Sequence, residues 1–229
     1  MSENPHKGHR ERVKKRYMNE GLANFEDHQI LELLLFYAYK QIDTNEIAHK
    51  MIKTFGSLHN LFDSHPKEIA KRCKVSENVA VLVSLIPHLS RRYEISKWDK
   101  KAVIGDSKSA GKYCVNLFIG HNYECFYMVF LNTQREILHT ELVHEGTIDA
   151  APIYTRVIIE KALTHNAASV VIAHNHPSGK LAPSPSDLEI TRKIVKALDN
   201  IDIDVIDHVI VGGQKYYSFA EQGVLFFEY

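Results

Sequence analysis

The spacing of apolar residues changes character near residue 100, and this change limits the fold of the 229-residue chain more than any other feature. Between Asn24 and Tyr93 the apolar residues recur at helical intervals: Ile30, Leu31, Leu34 and Leu35, then Ile47, Met51 and Ile52, then Val79, Leu82, Val83 and Ile86. Spacing of three and four places each set on one helix face, which predicts four or five short helices. Asn24 with Asp27 three residues on, Thr44 and Ser76 stand where N-caps belong, and Gly56 where a helix stops. From Trp98 to Ser109 the helical period is lost and charge, Gly and Ser collect, predicting a linker and a domain boundary near residue 100.

Beyond it a short helix is expected over 109–119, and strands over 126–131 and 136–143 joined by a hairpin at Asn132-Thr133-Gln134-Arg135. A helix with Pro152 in its first turn and a stripe of Val157, Ile158, Ala162 and Leu163 follows, then a buried strand over 169–173. A second helix starts at Ser184, with Pro185 at its first position and Asp187 at its third. Strands over 204–211 and 216–219 flank Gly212-Gly213, a tight-turn pair. Strands alternating with helices make this half α/β with a mixed sheet. The expected organisation is a small all-helical domain over 1–98 and an α/β domain over 105–229.

Apolar residues at 45% and charged residues at 24% allow two packed cores and exclude disorder, collagen and coiled coil. No apolar run approaches the roughly 18 residues that a membrane span needs, and the basic opening MSENPHKGHRERVKKRY has no apolar stretch behind it, so a cytoplasmic protein is expected. Cys73, Cys114 and Cys125 are scattered, which predicts buried thiols. The zero net charge hides an asymmetry: 16 Lys/Arg against 12 Asp/Glu over 1–98, and 12 against 16 afterwards. The positive excess lies in an arm before residue 17, either solvated or able to touch DNA phosphates through Lys14, Lys15 and Arg16.

The chemistry concentrates in VVIAHNHPSGKLAPSPSDLE. His174 and His176 lie two apart at a strand end, so both imidazoles emerge on one face. Asp187 follows in the first turn of the next helix, and the Pro/Gly/Ser-rich loop lets the chain turn back. Two imidazole nitrogens and one carboxylate oxygen form a three-ligand set typical of catalytic zinc, with a position left for water. The competing reading is incidental loop histidines in a chain that holds 14. A base must also take the water's proton and return it to a leaving amine. Glu124, Glu141, Glu145 and Glu160 are the candidates, and spacing alone does not choose among them.

His174-Asn-His176-Pro followed by Ser184-Pro-Ser-Asp187 is similar to the JAMM (MPN-plus) metallo-isopeptidase motif, His-x-His-x7-Ser-x-x-Asp. Over a wider span the chain resembles the RadC family of bacterial JAMM-domain proteins, in GTIDAAPIY, ALTHNAASVVIAHNHPSG, PSPSDLEITRKI and IDVIDHVIVGG. The resemblance is strong from about residue 105 and weaker before. It implies a JAMM domain with cytidine-deaminase-like layering and a Zn²⁺-dependent hydrolase acting on a peptide or isopeptide amide. The family's general base opens the first strand of its hairpin, which implies Glu124, with Glu141 second. Ser184 is implied to steady the carbonyl oxygen as it becomes an oxyanion, in competition with plain helix capping. Asn175 departs from the Ser or Thr of deubiquitinating members, so ubiquitin specificity is not implied.

Asp207 and His208 either orient a ligand imidazole or form a surface pair on an edge strand; spacing leaves both open. A zinc nucleobase deaminase is excluded by His176 in place of Glu and by the missing Cys-x-x-Cys. The adjacent spelling His-Asn-His is not the dispersed set of an HNH nuclease. The alternative of another class is a DNA-associated repair or recombination factor whose metal site is secondary. Its helical half resembles the helix-hairpin-helix-like region of RadC proteins. Cys73-Lys74-Val75-Ser76-Glu77-Asn78, however, holds no glycine where a DNA-binding hairpin brings backbone amides to phosphate, so a packing or partner-contact role is expected there.

Overall fold

The structure is a computed structural model that describes residues 8–98, 102–146 and 151–225, apart from the side chains of 151–154. Lys7 of the basic arm, the centre of the expected linker and part of GTIDAAPIY lie outside the described residues, as does the side chain of Pro152. The chain divides into two compact units between Leu89 and Ser90.

The first unit is helical. It contains α1 (His9–Glu20), α2 (Asp27–Leu35), α3 (Asn45–Phe55), α4 (Leu58–Phe62), α5 (Pro66–Cys73) and the start of α6 (Glu77–Ser96). The apolar stripes converge on one core in which Leu31, Leu35, Met51, Leu61, Ile69 and Val83 are fully buried, each contributing about 1.5–3 kcal/mol. Gly56 ends α3 in the left-handed region at φ 86°, as its position in the sequence predicts. The N-cap expected at Asn24 stands instead at Glu26, whose side chain forms a capping box with Gln29.

The basic arm is helix α1, and part of it is held by its own unit. His9 Nε2 lies 3.0 Å from the buried Glu32 carboxylate. Arg10 donates to the Lys40 carbonyl at 3.0 Å and lies over the Phe36 ring. Arg16 pairs with Glu20 and lies over the Phe25 ring, so its guanidinium is already engaged. Lys14 pairs with Glu11 at 3.0 Å, and Lys15 lines a shallow pocket with Arg12 and Asn19. At the hairpin without glycine, Lys74 takes the left-handed conformation itself, at φ 56°.

The second unit is α/β. Among the described residues five strands, β1 (Cys125–Leu131), β2 (Ile137–Glu145), β3 (Ser169–Asn175), β4 (Asp204–Gly212) and β5 (Lys215–Ser218), form one sheet in the order β2-β1-β3-β4-β5. Only β3 and β4 run parallel, and the crossover between them carries α9 (Pro185–Asp199). One face packs on α7 (Ser107–Leu117) through Tyr113, Cys114, Val129, Val171 and Val209. The other packs on α8 (Ala151–Thr164) and α9 through Phe126, Met128, Ile158, Ile172 and Ile194. A mixed sheet covered on both sides is the layering that the strand and helix order predicts. Helix α7 starts two residues ahead of the expected 109 because Asp106 is its N-cap; Asp106 and Ser109 cap each other reciprocally.

Division at Leu89/Ser90 falls inside α6 and ahead of the expected 98. Ile95 in the last turn of α6 and Trp98 two residues beyond its end pack on the α7 side of the second core. Cys73, Cys114 and Cys125 are buried free thiols. No described helix is long and apolar enough to cross a membrane.

Candidate metal centre

The site is assembled where β3 ends and α9 begins. His176 N–H donates to the Val211 carbonyl at 2.8 Å, extending the β3–β4 ladder one step past the strand. The two-residue alternation therefore persists, and His174 and His176 share the sheet face that looks toward α9. Ser184 caps α9, Pro185 occupies its first turn, and Asp187 completes a capping box. The same sequence rule that starts the helix thus sets the carboxylate facing the strand end.

His174 Nε2 lies 3.0 Å from His176 Nε2 and 3.2 Å from Asp187 Oδ1, while His176 Nε2 lies 3.5 Å from Asp187 Oδ2. The structure thus brings together all three residues expected to share a cation, with donor atoms close enough for one ion. His174 and Asp187 are buried and His176 is half-buried. Burial acts to raise the Asp187 carboxyl, but the hydrogen bond and charge of His174 and the bonds from Ser184 outweigh it and hold it well below the usual carboxylate range.

The hydrogen bonds around the three side chains leave a donor set that suits a cation. His176 Nδ1 lies 2.7 Å from the Lys180 carbonyl, which only accepts, so Nδ1 carries the proton and Nε2 keeps its lone pair. That lone pair and the carboxylate oxygens of Asp187 are turned toward His174 Nε2 with little solvent between them. Electron-pair donors this close repel unless a proton or a metal ion lies among them. Two imidazole nitrogens with one carboxylate fit zinc in kind and number.

Glu124 sits immediately before β1. Phe126 opposes His174 across the β1–β3 ladder, so two residues upstream Glu124 stands toward His176. It lines one cleft of about 600 Å³ together with His174, His176, Ser184 and Asp187. Asn175, between the two histidines, is buried and turned to the opposite face. Its Oδ1 accepts from Cys125 N–H at 2.7 Å and its Nδ2 donates to the Tyr123 carbonyl at 2.9 Å. The peptide groups on both sides of Glu124 are thereby tied to the strand that carries the histidines.

The other glutamates are placed elsewhere. Glu141 lies on β2, 2.5 Å from Lys161 Nζ and 3.2 Å from His165 Nε2. Burial acts to raise its carboxyl, and the bonds from Lys161 and His165 outweigh this and lower it. Glu145 accepts from the Tyr123 hydroxyl at 3.1 Å, and Glu160 is exposed on α8. His139, Glu141 and His165 form a second cluster, but the two imidazoles stack at 4.3 Å and Lys161 already neutralises the carboxylate. Ser184 donates its hydroxyl proton to Asp187 Oδ2 at 2.7 Å and accepts from Asp187 N–H at 3.2 Å. Capping and steadying Asp187 are its roles in this state.

Asp207 and His208 are not a surface pair on an edge strand: they are 1% and 0% exposed, and β4 lies between β3 and β5. Alternation sends them to opposite faces. Asp207 accepts from Ser218 Oγ and from Ala220 N–H, whereas His208 Nε2 lies 2.8 Å from His174 Nδ1. Burial holds His208 well below the usual histidine range. Thr191, on α9, meets His208 Nδ1 at 2.6 Å. Sequence reasoning missed Thr191. Its spacing of four from Asp187, one helical turn on, was the available signal.

Residues 104–224 match the family described as RadC-like JAB domain. The chain is 34% identical to a UPF0758 protein of Fusobacterium nucleatum over 98% of its own length and all of the relative's. It is 32% identical to a UPF0758 protein of Aliivibrio salmonicida, covering 93% of this chain and 95% of that one. A UPF0758 protein of Pseudoalteromonas translucida is 31% identical, with 94% and 96% covered.

Proposed function

Since the chain belongs to the RadC-like JAB-domain family, we propose that it is a zinc-dependent hydrolase that cleaves a peptide or isopeptide amide. The observation that carries this reading is the convergence of the His174, His176 and Asp187 donor atoms at the edge of a cleft that Glu124 also lines. The chemistry belongs to the α/β half, expected over 105–229.

His174 Nε2, His176 Nε2 and an Asp187 carboxylate oxygen would hold the ion. Zinc in such a set supplies Lewis acidity, lowering the pKa of water and polarising a carbonyl. Glu124 takes a proton from the attacking water on its carboxylate and delivers it to the departing nitrogen, so that amide and water become acid and amine. Asn175 keeps Glu124 at the mouth of the cleft through the peptide groups on either side of it. Ser184 reaches a substrate carbonyl oxygen only by turning its hydroxyl proton away from Asp187.

Metal analysis after zinc supplementation, with turnover of an amide library, tests the reading. Glu124→Gln should keep zinc and lose hydrolysis by a factor of about 10²–10⁴, and His176→Ala should lose zinc as well. Glu141→Gln should change neither, since its carboxylate serves Lys161 and His165. A parental protein that takes up no zinc refutes the reading, and unchanged turnover in Glu124→Gln moves the base elsewhere.

A further inference from the structure

Thr191 and His208 perform no step of that chemistry, yet both are fully buried and stand in line with His174. Their hydrogen bonds have a forced direction. Thr191 has one hydroxyl proton and donates it to the Asp187 carbonyl at 2.5 Å. The 2.6 Å contact between Thr191 Oγ1 and His208 Nδ1 is therefore donated by Nδ1–H. His208 is 0% exposed, stacked on Phe219 at 4.5 Å with Phe126 edge-on at 6.2 Å, and among the described residues its ring nitrogens meet Thr191 and His174 and no carboxylate. A neutral ring protonated at Nδ1 has its lone pair at Nε2, so the 2.8 Å contact with His174 is donated by His174 Nδ1–H. His174 Nε2, turned toward His176 and Asp187, is then the nitrogen whose proton a cation displaces, leaving its lone pair as the ligand.

We propose that Thr191 and His208 are positioning residues: a one-way hydrogen-bond relay from His174 through His208 and Thr191 to the Asp187 carbonyl that fixes His174 as the Nδ1–H tautomer and presents Nε2 as a ligand. The relay ends on Asp187, so it ties together the strand-borne imidazole and the helix-borne carboxylate of one centre. His176 achieves the same tautomer through a backbone carbonyl. His174, at the end of a fully buried strand, has a side-chain partner instead. The consequence for metal binding rests on the zinc reading above; the tautomer order does not.

The test uses the full chain with ¹⁵N-labelled histidine and long-range ¹H–¹⁵N correlation. His208 should be the Nδ1–H tautomer in metal-free protein at pH 8, and His174 should be Nδ1–H once zinc is added. His208 found as Nε2–H overturns the relay, whether or not zinc binds. Thr191→Val removes the acceptor at nearly constant volume. It should displace the His208 signals and weaken zinc binding by about 10- to 100-fold in chelator competition, and Thr191→Ser should restore both. A valine variant with unchanged tautomers and unchanged zinc affinity refutes the proposal. Should that variant fail to fold, the tautomers of the parental and serine proteins decide. A parental chain with the expected His208 tautomer but no zinc uptake rejects the metal reading and leaves the relay standing.

Discussion

At the scale of single residues, Asn175 separates what spelling conveys from what geometry adds. In the sequence it marks only a departure from the deubiquitinating JAMM pattern. In the structure it satisfies Cys125 N–H and the Tyr123 carbonyl at once, and so braces the backbone of Glu124. Asn175→Ala should strand the buried Cys125 N–H, which costs about 1–3 kcal/mol when no water replaces the partner, and release the partly buried Tyr123 carbonyl at a cost of about 1 kcal/mol. Chemical denaturation should therefore show a loss of about 2–4 kcal/mol. Zinc stoichiometry should stay unchanged, since the Asn175 side chain leaves the sheet on the face opposite the imidazoles. An unaltered midpoint would show that the clamp contributes nothing. Glu124 could be favoured over Glu141 from the sequence only by resemblance. What separates them physically is strand register: Phe126 pairs with His174, while Glu141 pairs with Met128 on the far edge, and register across strands is not written in either strand alone.

At the scale of elements, the ligand segment was legible because each of its devices is local. Two-residue spacing at a strand end, a proline at the first helical position and a Ser-x-x-Asp capping box are all short-range rules. The arm was harder, because residues 9–20 have no apolar stripe to announce a helix. It is held by distant partners such as Glu32 and Phe36. His208 was likewise out of reach, because whether a strand is edge or interior depends on sheet order. One element contact is testable directly. A Cβ built on Gly212 at the end of β4 would lie 2.7 Å from the Gly179 carbonyl oxygen, and Gly179 belongs to the loop whose Lys180 carbonyl orients His176. Gly212→Ala must push that loop away or distort β4. Zinc affinity should fall by about 10-fold, the low end of losses when a ligand's outer partner shifts, with little change in helix content by circular dichroism. An affinity equal to the parental value would mean that the loop yields without disturbing His176.

At the scale of the whole molecule, each half has a core of its own, and where the chain is cut decides which core suffers. Cutting at the expected 105 removes residues that the α/β core uses. Ile104 is 1% exposed, and Ile95 and Trp98 pack against the same cluster. Trp98 meets Tyr113 edge-on at 5.1 Å. Ile104 N–H donates to the Arg135 carbonyl at 2.9 Å, and Ile137 N–H to the Ala102 carbonyl at 2.9 Å, so residues 102–104 lie along the start of β2. Full burial of one large apolar side chain contributes about 1.5–3 kcal/mol, and three such side chains, two of them half-buried, amount to roughly 3–6 kcal/mol. That is a large fraction of the 5–15 kcal/mol by which domains are stable. A fragment of residues 90–229 should therefore fold and bind zinc as the full chain does, while one of residues 105–229 should unfold at a clearly lower urea concentration or not fold at all. Equal midpoints for the two fragments would show that the end of α6 is dispensable to the α/β half. The ligands themselves lie far along the chain from either cut, so any loss of zinc in the shorter fragment should track its unfolding and return at low temperature, where the folded fraction recovers.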